Sequence, residues 1–542
     1  MNHVAILELK RNHRMSISKK TLVSRATGNF YTHELIGDFI NNQVLPLLKA
    51  ISHKIISVVD PFAGDGRLVC WLIESAQREG IDAHWKISLW DHNKSALDEA
   101  KERVLAMQIR TGVKIELSIV CTNSFEFAQK YEKKFDVVIT NPPWEALKPD
   151  RRELECLSEI DRESYIGRMK LFDQRLAKTH PQSQPTRKFA GWGTNLSRVG
   201  LELSVNLLKH GGQLAIVLPS STFADQVSAP LRQWVVENTT IESIGHFPAE
   251  ARLFEHVDQG AMVLVGTRQS TAIQRFLLHS LAPNSLDYGS QMLELSLKVW
   301  QSSGFCIPFA IQGNAQVFLD SISAFSTWAE LESSDCGFWA GRELDETDIN
   351  AKLSSTGKYR FVKGRMVGRF QFVEPVTKRI AVQSTRVPRT ADMHRIAWRD
   401  VSRTTQRRRM QATMIEPGYV TGNSLNVALF ENQDEQMALA LLAVINSLVF
   451  EVQVRLRSST SHVSLGVVRG VRIPDIRNGD ISGRLSAMSK RCLNNPGQHE
   501  ADLEATVAKE YGLTKKTFAS LLPSFPKIRA EEAISILNSS VW

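Results

Sequence analysis

The chain predicts an α/β fold: a Rossmann-like, doubly wound sheet, then a mixed α/β C-terminal domain and a helical tail. Three observations carry this. Short β-rich runs alternate with helical runs between residues 33 and 140. The first β-rich run breaks into a glycine turn that opens a helix. Beyond residue 336 the rhythm gives way to short β-like runs and many turns. Strand–helix alternation marks a parallel sheet, and such sheets bind ligands beyond the carboxyl ends of their strands.

Taken in order, HELIGDFINNQVLPLLKA (33–50) has helical apolar spacing, and IISVVD (55–60) is a first strand ending at Pro61. RLVCWLIESAQREG is a helix, WKISLWD a strand, NKSALDEAKERVLAMQIR a helix, KIELSIV a strand and FDVVIT (135–140) a fourth strand. The pattern lapses over 145–200, a polar stretch containing PQSQPTRK. It resumes with LELSVNLLKH as a helix, a Gly-Gly stop and QLAIVLP (213–219) as a strand. LRQWVVEN and AMVLVG (261–266) finish a first domain near residue 270. A connector follows over 271–335, then a domain over 336–485 and a helical tail over 486–542. MALALLAVINSLVF (437–450) reads as one buried helix.

Composition sets outer bounds. The chain has 542 residues, 43% apolar and 23% charged, which is ordinary globular usage and excludes a disordered, collagenous or coiled-coil protein. Its six cysteines have no CxxC spacing, so neither a zinc ribbon nor a disulfide framework is indicated and no metal is expected. No apolar run reaches the ~18 residues of a membrane span, and the first residues hold no secretory h-region. A cytoplasmic location is expected. Residues 351–415 hold 16 Lys/Arg against Glu374, Asp392 and Asp400. That is +13 in a chain of net +9, leaving −4 for the rest. Such asymmetry is the footprint of a polyanion site, or of a solvated basic face.

Three motifs carry chemistry. Asp60-Pro61-Phe62-Ala63-Gly64-Asp65-Gly66 lies between a strand and a helix, where glycines let the backbone approach a ligand and a helix N-terminus offers free N–H groups. Val69 stands where the phosphate-binding version has its third glycine, so the turn alone equally suits a plain βα connection. Asp91 ends the second strand, where an acid can accept from both ribose hydroxyls or cap the next helix. Asn123 and Phe125, after the third strand, can bond and pack an adenine ring or serve as ordinary turn residues. The third motif, Asn141-Pro142-Pro143-Trp144, ends the fourth strand. Its prolines give a rigid loop without two N–H donors. The Asn141 side-chain oxygen and the Pro142 carbonyl can accept both N–H bonds of an exocyclic amine, and Trp144 offers a base a face worth ~1–3 kcal/mol of stacking.

Together these motifs resemble the amino-methyltransferases of DNA, in particular the adenine-N6 group. Their order, cofactor motif before catalytic motif before a C-terminal recognition region, is similar to the γ class of TaqI-like methylases in type II restriction–modification systems. Phe30-Tyr31-Thr32 looks like that family's further cofactor motif, and Leu253-Phe254 like a later part of its catalytic domain. The resemblance covers about residues 24–270. Gly341-Arg342-Glu343 and TGNSLNVALF resemble a target-recognition domain only loosely. The sequence departs from the family at His33 (usually Pro), Asn123 (usually Asp) and Trp144 (more often Tyr or Phe).

The resemblance implies S-adenosylmethionine as cofactor, held by Phe30, Tyr31, Thr32, Asp60, Pro61, Ala63, Gly64, Gly66, Asp91, Asn123 and Phe125. It implies Asn141, Pro142, Pro143 and Trp144 as the catalytic group. Transfer would be direct and in line, onto an adenine flipped out of duplex DNA. Arg187 and Lys188 in the polar insert, and Lys363, Arg365, Arg369, Arg407, Arg408 and Arg409 in the basic stretch, are the candidate DNA contacts. Double-stranded DNA is the expected partner, with a separately encoded restriction endonuclease a further one and no membrane. Cytosine-N4 methylation, protein glutamine-N5 methylation and an inactive DNA-binding specificity subunit stay open as alternatives.

Overall fold

The computed structural model describes residues 32–542 apart from 52–53, 150–153, 155–156, 186–191, 255–258, 283–286, 302, 310, 312–314, 382–385, 404–405, 459–460 and 526. The chain divides into two units: Met1–Phe223 with Val227–Gln301, and Ala224–Gln226 with Ser302–Trp542.

The first unit is built on β1 (Ile55–Asp60), β2 (His84–Asp91), β3 (Lys114–Cys121), β4 (Phe135–Thr140), β5 (Leu208–Pro219), β6 (Thr240–Phe247), β7 (Ala261–Thr267), β8 (Ile273–Leu281) and β9 (Tyr288–Ser296). They form one sheet in the order β3-β2-β1-β4-β5-β7-β6-β8-β9. β3, β2, β1, β4 and β5 run parallel. β7 is antiparallel to both β5 and β6. The helices are α1 (Glu34–Lys49), α2 (Arg67–Arg78), α3 (Lys94–Thr111), α4 (Ser124–Phe127), α5 (Glu159–Thr179), α6 (Leu196–Leu207) and α7 (Ala229–Asn238).

Local chemistry fixes where these elements begin. The His33 side chain caps α1, and Asn93 caps α3 by accepting from the Ser95 and Ala96 amides. Gly66 enters α2 at φ +72°, a left-handed conformation that a glycine adopts without strain. β4 is buried at every position, as expected of a central parallel strand. Val58, Ile87, Val137, Ile139, Ala215 and Val263 of the sheet pack with Ile36, Ile40, Val69, Leu72, Leu97 and Val104 of the helices in one core. Strand order reverses between β1 and β4, and a crevice at such a switch point is where doubly wound sheets hold ligands.

Four expectations are corrected here. The 271–335 stretch is not simply a connector: β8 and β9 pair as a hairpin, and β8 joins β6, so the first unit runs on to Gln301. The polar 145–200 stretch contains the 21-residue helix α5, started by Ser158, whose side chain accepts from the Asp161 amide. Residues 437–450 are not one helix. Glu435–Ile445 and Leu448–Arg457 meet at 64°, because the Ser447 side chain caps the second and restarts the chain direction. The tail over 486–542 belongs to the second unit, with Gly479–Asn494 and Glu500–Glu510 among its helices.

That second unit has a four-stranded sheet (Phe338–Gly341, Leu425–Phe430, Arg395–Arg399 and Ala412–Ile415, in spatial order) and a three-stranded one (Arg379–Ile380, Tyr359–Val362 and Tyr419–Thr421). No single helix among the described residues is long and apolar enough to cross a membrane. The bent pair passes by length and composition only, and its apolar residues are buried in the fold. Among the described residues no group of three or more His, Cys, Asp or Glu is placed to hold a metal.

Candidate active site

Register puts the first and third motifs side by side. β1 and β4 pair at Val58↔Val137 and Val59↔Val138, so Asp60 and Thr140 end adjacent strands. The Thr140 hydroxyl donates to Asp60 Oδ1 at 2.6 Å, and the Phe62 amide donates to the same oxygen at 3.0 Å. Asp60 is buried, and burial pushes its carboxyl up to about 7 against the pull of those two hydrogen bonds.

The glycine turn folds back on the end of β2. The Ala63 amide donates to the Trp90 carbonyl at 3.0 Å. The Gly64 amide donates to Asp91 Oδ2 at 2.9 Å, and the Asn93 amide to Asp91 Oδ1 at 2.8 Å. Asp91 therefore ties the turn to its neighbour strand and is not the helix cap, which Asn93 supplies. A carboxylate has about four lone-pair sites, so Asp91 retains capacity to accept from a ribose hydroxyl. A Cβ at Gly64 would meet nothing within 4 Å, whereas one at Gly66 would stand 3.0 Å from Ala100 Cβ. Gly66 thus packs α2 against α3, and Gly64 faces open space.

Asn123 caps α4, its Oδ1 accepting from the Phe125 amide at 3.1 Å, which leaves its Nδ2 and one Oδ1 lone pair for a ligand. Phe125 is buried and stands 5.0 Å from the Phe62 ring. Phe172 of α5 meets the Phe125 ring edge-on at 6.3 Å.

At the end of β4, Asn141 Nδ2 donates to the Thr32 hydroxyl at 3.2 Å. Asn141 Oδ1 is buried and has no partner among the described residues. Leaving an acceptor so costs on the order of 1–3 kcal/mol. Pro142 is buried and Pro143 half-buried. Gly200 of α6 lies flush against Pro142: a Cβ there would fall 2.5 Å from Pro142 Cβ and 3.4 Å from the Phe62 ring. Trp144 packs against the core with its ring 5.0 Å from Phe254 at 55°, and its Nε1 has no acceptor among the described residues. Asn141 Oδ1 takes a donor and Trp144 Nε1 an acceptor, both of which a nucleobase edge carries, and the open face at Gly64 suits a group lying across the turn. The residues present therefore fit S-adenosylmethionine and a nucleobase.

Asp60, Gly64, Asp91 and Asn141 are thus gathered at the carboxyl end of the sheet. Phe30, Tyr31, Arg187 and Lys188 lie outside the described residues. Thr32 bonds Asn141 rather than standing apart from the catalytic motif. Gly200 and Phe172 were not singled out from sequence, since nothing local marks a helix residue that must approach a proline or an aromatic ring.

In the second unit the structure corrects three candidate DNA contacts. Arg369 pairs with Glu500 and, at 3.1 Å, with Glu504. Arg408 pairs with Glu504 at 2.9 Å and Glu451 at 3.3 Å. Arg409 is 1% exposed and donates to the Ser458 and Ser402 carbonyls. Burial would depress the Arg408 guanidinium, but the Glu504 and Glu451 carboxylates outweigh it and hold it above its ordinary value. Burial lowers Arg409 to about 10, with Arg455 adding to the effect. Arg369 and Arg408 hold the tail helix Glu500–Glu510, Arg409 holds the backbone at Ser402 and Ser458, and all three are buried in these roles, away from any phosphate. Lys363 is half-buried against Glu346 at 3.4 Å. Arg365 is 72% exposed beside Glu374, and Arg407 is exposed beside Glu532.

The sheet, with Asp60, Gly64, Asp91 and Asn141 at its carboxyl end, defines a doubly wound α/β domain. Residues 67–254 of it match the family described as Eco57I restriction-modification methylase. Among solved structures, the chain is similar to the type IIG restriction endonuclease BpuSI (14% identity, 94% of this chain and 68% of that one, TM-score 0.45). It is similar to the type IIL restriction-modification enzyme MmeI in complex with DNA (11%, 97% and 77%, 0.49). It is also similar to DrdV in a DNA complex (12%, 91% and 60%, 0.49).

Proposed function

We propose that the chain transfers a methyl group from S-adenosylmethionine to the N6 amino group of an adenine in duplex DNA, as the modifying activity of a restriction–modification system in the cytoplasm. The observation that carries this reading is Asn141 Oδ1, a buried acceptor without a partner among the described residues, at the end of β4 on a corner that two prolines stiffen. The methylase family matched by residues 67–254 supports it.

S-adenosylmethionine, when bound, would supply an electrophilic methyl on a sulfonium whose departure leaves a neutral thioether, so no general acid is called for, and the methylated amine returns to neutrality by giving one proton to solvent. The chain's own work is alignment. Asn141 Oδ1 and the Pro142 carbonyl accept the two N–H bonds of the adenine amine, which favours sp³ character at nitrogen and aims its lone pair. Asp91 and the Gly64 turn would hold the ribose end of the donor, and Phe125 would pack against its adenine. Fixing two reactants in a near-attack geometry is the largest contribution such a site can make. The target adenine leaves the stack at a cost of a few kcal/mol, and Trp144 offsets part of that by stacking. Exposed cations of the basic stretch, Arg365, Lys378, Arg386, Arg389, Arg403 and Arg407, track the phosphates.

Incubation with methyl-labelled S-adenosylmethionine and either duplex DNA or protein tests the substrate class. Label in DNA only, recovered as N6-methyladenine, is the expected result. Label at cytosine N4 moves the target base; label in protein removes DNA as the substrate; no transfer at all supports a binding subunit. A separately encoded restriction endonuclease remains part of the proposal.

A further inference from the structure

We propose that Thr32 is a positioning residue whose hydroxyl anchors the Asn141 amide so that Oδ1 faces the nucleobase amine. This rests on the adenine reading above and adds a residue that acts through Asn141 instead of through the cofactor.

An asparagine amide carries an acceptor on one arm and a two-proton donor on the other, nearly equal in size. A half-turn about Cβ–Cγ therefore swaps chemistry with little change in shape. Only the oxygen serves an amine that arrives with N–H donors; the NH₂ arm would set donor against donor. Asn141 Nδ2 bonds the Thr32 hydroxyl at 3.2 Å, while Oδ1 has no partner among the described residues. Once an N–H donor reaches Oδ1, this orientation satisfies both arms. In the reverse one the Thr32 hydroxyl can donate to Oδ1, but the NH₂ then faces the amine's own donors and finds no acceptor.

The hydroxyl can act as an anchor because its own backbone is held. Thr32 is 3% exposed and directly precedes His33, the cap of α1. Arg67 Nη1 donates to the Thr32 carbonyl at 3.3 Å. Arg67 is itself gripped by Asp65 through Nε at 3.0 Å and Nη2 at 2.7 Å. Asp65 is 3% exposed and also takes Arg103 Nη2 at 2.8 Å. The middle residue of the glycine turn thus reaches the catalytic amide through Arg67 and Thr32, and a single framework holds the turn and the amine-binding corner.

The test compares full-length wild type with Thr32→Val, Thr32→Ser and Thr32→Cys, reading kcat, the KM for S-adenosylmethionine and the affinity for S-adenosylhomocysteine by calorimetry. Thr32→Val is expected to lower kcat ~10-fold, the effect of one buried hydrogen bond, with cofactor KM and S-adenosylhomocysteine affinity unchanged. Thr32→Ser, which keeps the oxygen, restores the rate. Thr32→Cys, a weak acceptor of similar size, falls between them and decides the matter if the valine variant no longer binds S-adenosylhomocysteine. A raised cofactor KM at constant kcat overturns the inference and makes Thr32 a cofactor contact. Valine or cysteine variants as fast as wild type overturn it too. Wild type that methylates no adenine overturns the adenine reading and this role together, whereas active wild type with an indifferent Thr32 overturns this role alone.

Discussion

The Asn141 corner and the basic stretch of the second unit differ in what their buried polar groups meet. At the corner, Asn141 Oδ1 and Trp144 Nε1 are buried and left without partners among the described residues. In the basic stretch the buried guanidinium charges of Arg369, Arg395, Arg408 and Arg409 are engaged by Glu500, Glu343, Glu504 and backbone carbonyls, although Arg369 Nε itself has no hydrogen-bond partner among the described residues. Open valence inside a fold is costly and calls for an account; Trp328 Nε1 and Trp398 Nε1 are also unpartnered among the described residues, and what sets Asn141 apart is its place at the carboxyl end of β4 beside the glycine turn. Satisfied charge inside a fold is architecture. A net charge of +13 over 351–415 is therefore a poor count of the cations a polyanion can meet. Several of its members are spent on acids from outside that stretch.

Four variants, one of them a double substitution, break or sharpen this contrast. Arg408→Met leaves Glu504 and Glu451 short of a buried partner and should cost ~3–5 kcal/mol, read as a drop in the denaturant midpoint with methylation per folded molecule retained. An unchanged midpoint would mean that the ion cluster is not structural. At the corner, Gly200→Ala drives a Cβ to 2.5 Å from Pro142. It should cost ~1–3 kcal/mol of stability by overpacking and lower kcat more than DNA affinity. Equal activity would show that the Pro142 carbonyl need not be held in place.

Asp60 gives the pH dependence. Its folded carboxyl lies near 7, above an ordinary 3.8, so the fold favours the protonated form. Its contribution to stability is complete below 3.8, falls as pH rises between those values and is gone above 7. Asp60→Asn should flatten that slope in urea titrations across this window; an unaltered slope would place the titration elsewhere. The smallest effect belongs to the surface. Arg365→Ala with Arg407→Ala should leave the denaturant midpoint within ~0.5 kcal/mol. It should shallow the salt dependence of DNA binding by about one unit for each phosphate that no longer meets a cation. An undiminished slope would move the DNA-binding surface away from both residues.

Sequence reasoning reached furthest where chemistry is local. IISVVD, WKISLWD, KIELSIV and FDVVIT are strands within a residue of where their patterns begin and end. The residues that terminate them, Asp60, Asp91 and Asn141, meet because parallel register requires it. β6, β8 and β9 escaped because they enter as an antiparallel and mixed addition, outside the strand–helix rhythm. α5 escaped because most of its residues are polar, with only Tyr165, Met169, Phe172, Asp173 and Leu176 buried. The break in 437–450 depends on one serine cap within a uniformly apolar run. Pairings such as Thr32 with Asn141, Gly200 with Pro142 and Arg408 with Glu504 join distant stretches of chain, and no pattern along the sequence encodes them. Arg365 and Arg408 look alike in sequence; only the acids that fold against them tell them apart.

The central claim is that Asn141 presents its oxygen to a nucleobase amine. Digesting duplex DNA to nucleosides after incubation with methyl-labelled S-adenosylmethionine, for wild type and Asn141→Ala, tests it most directly. The account predicts labelled N6-methyldeoxyadenosine from wild type and at least ~100-fold less from the variant, at equal DNA affinity. Comparable labelling by both proteins would contradict it.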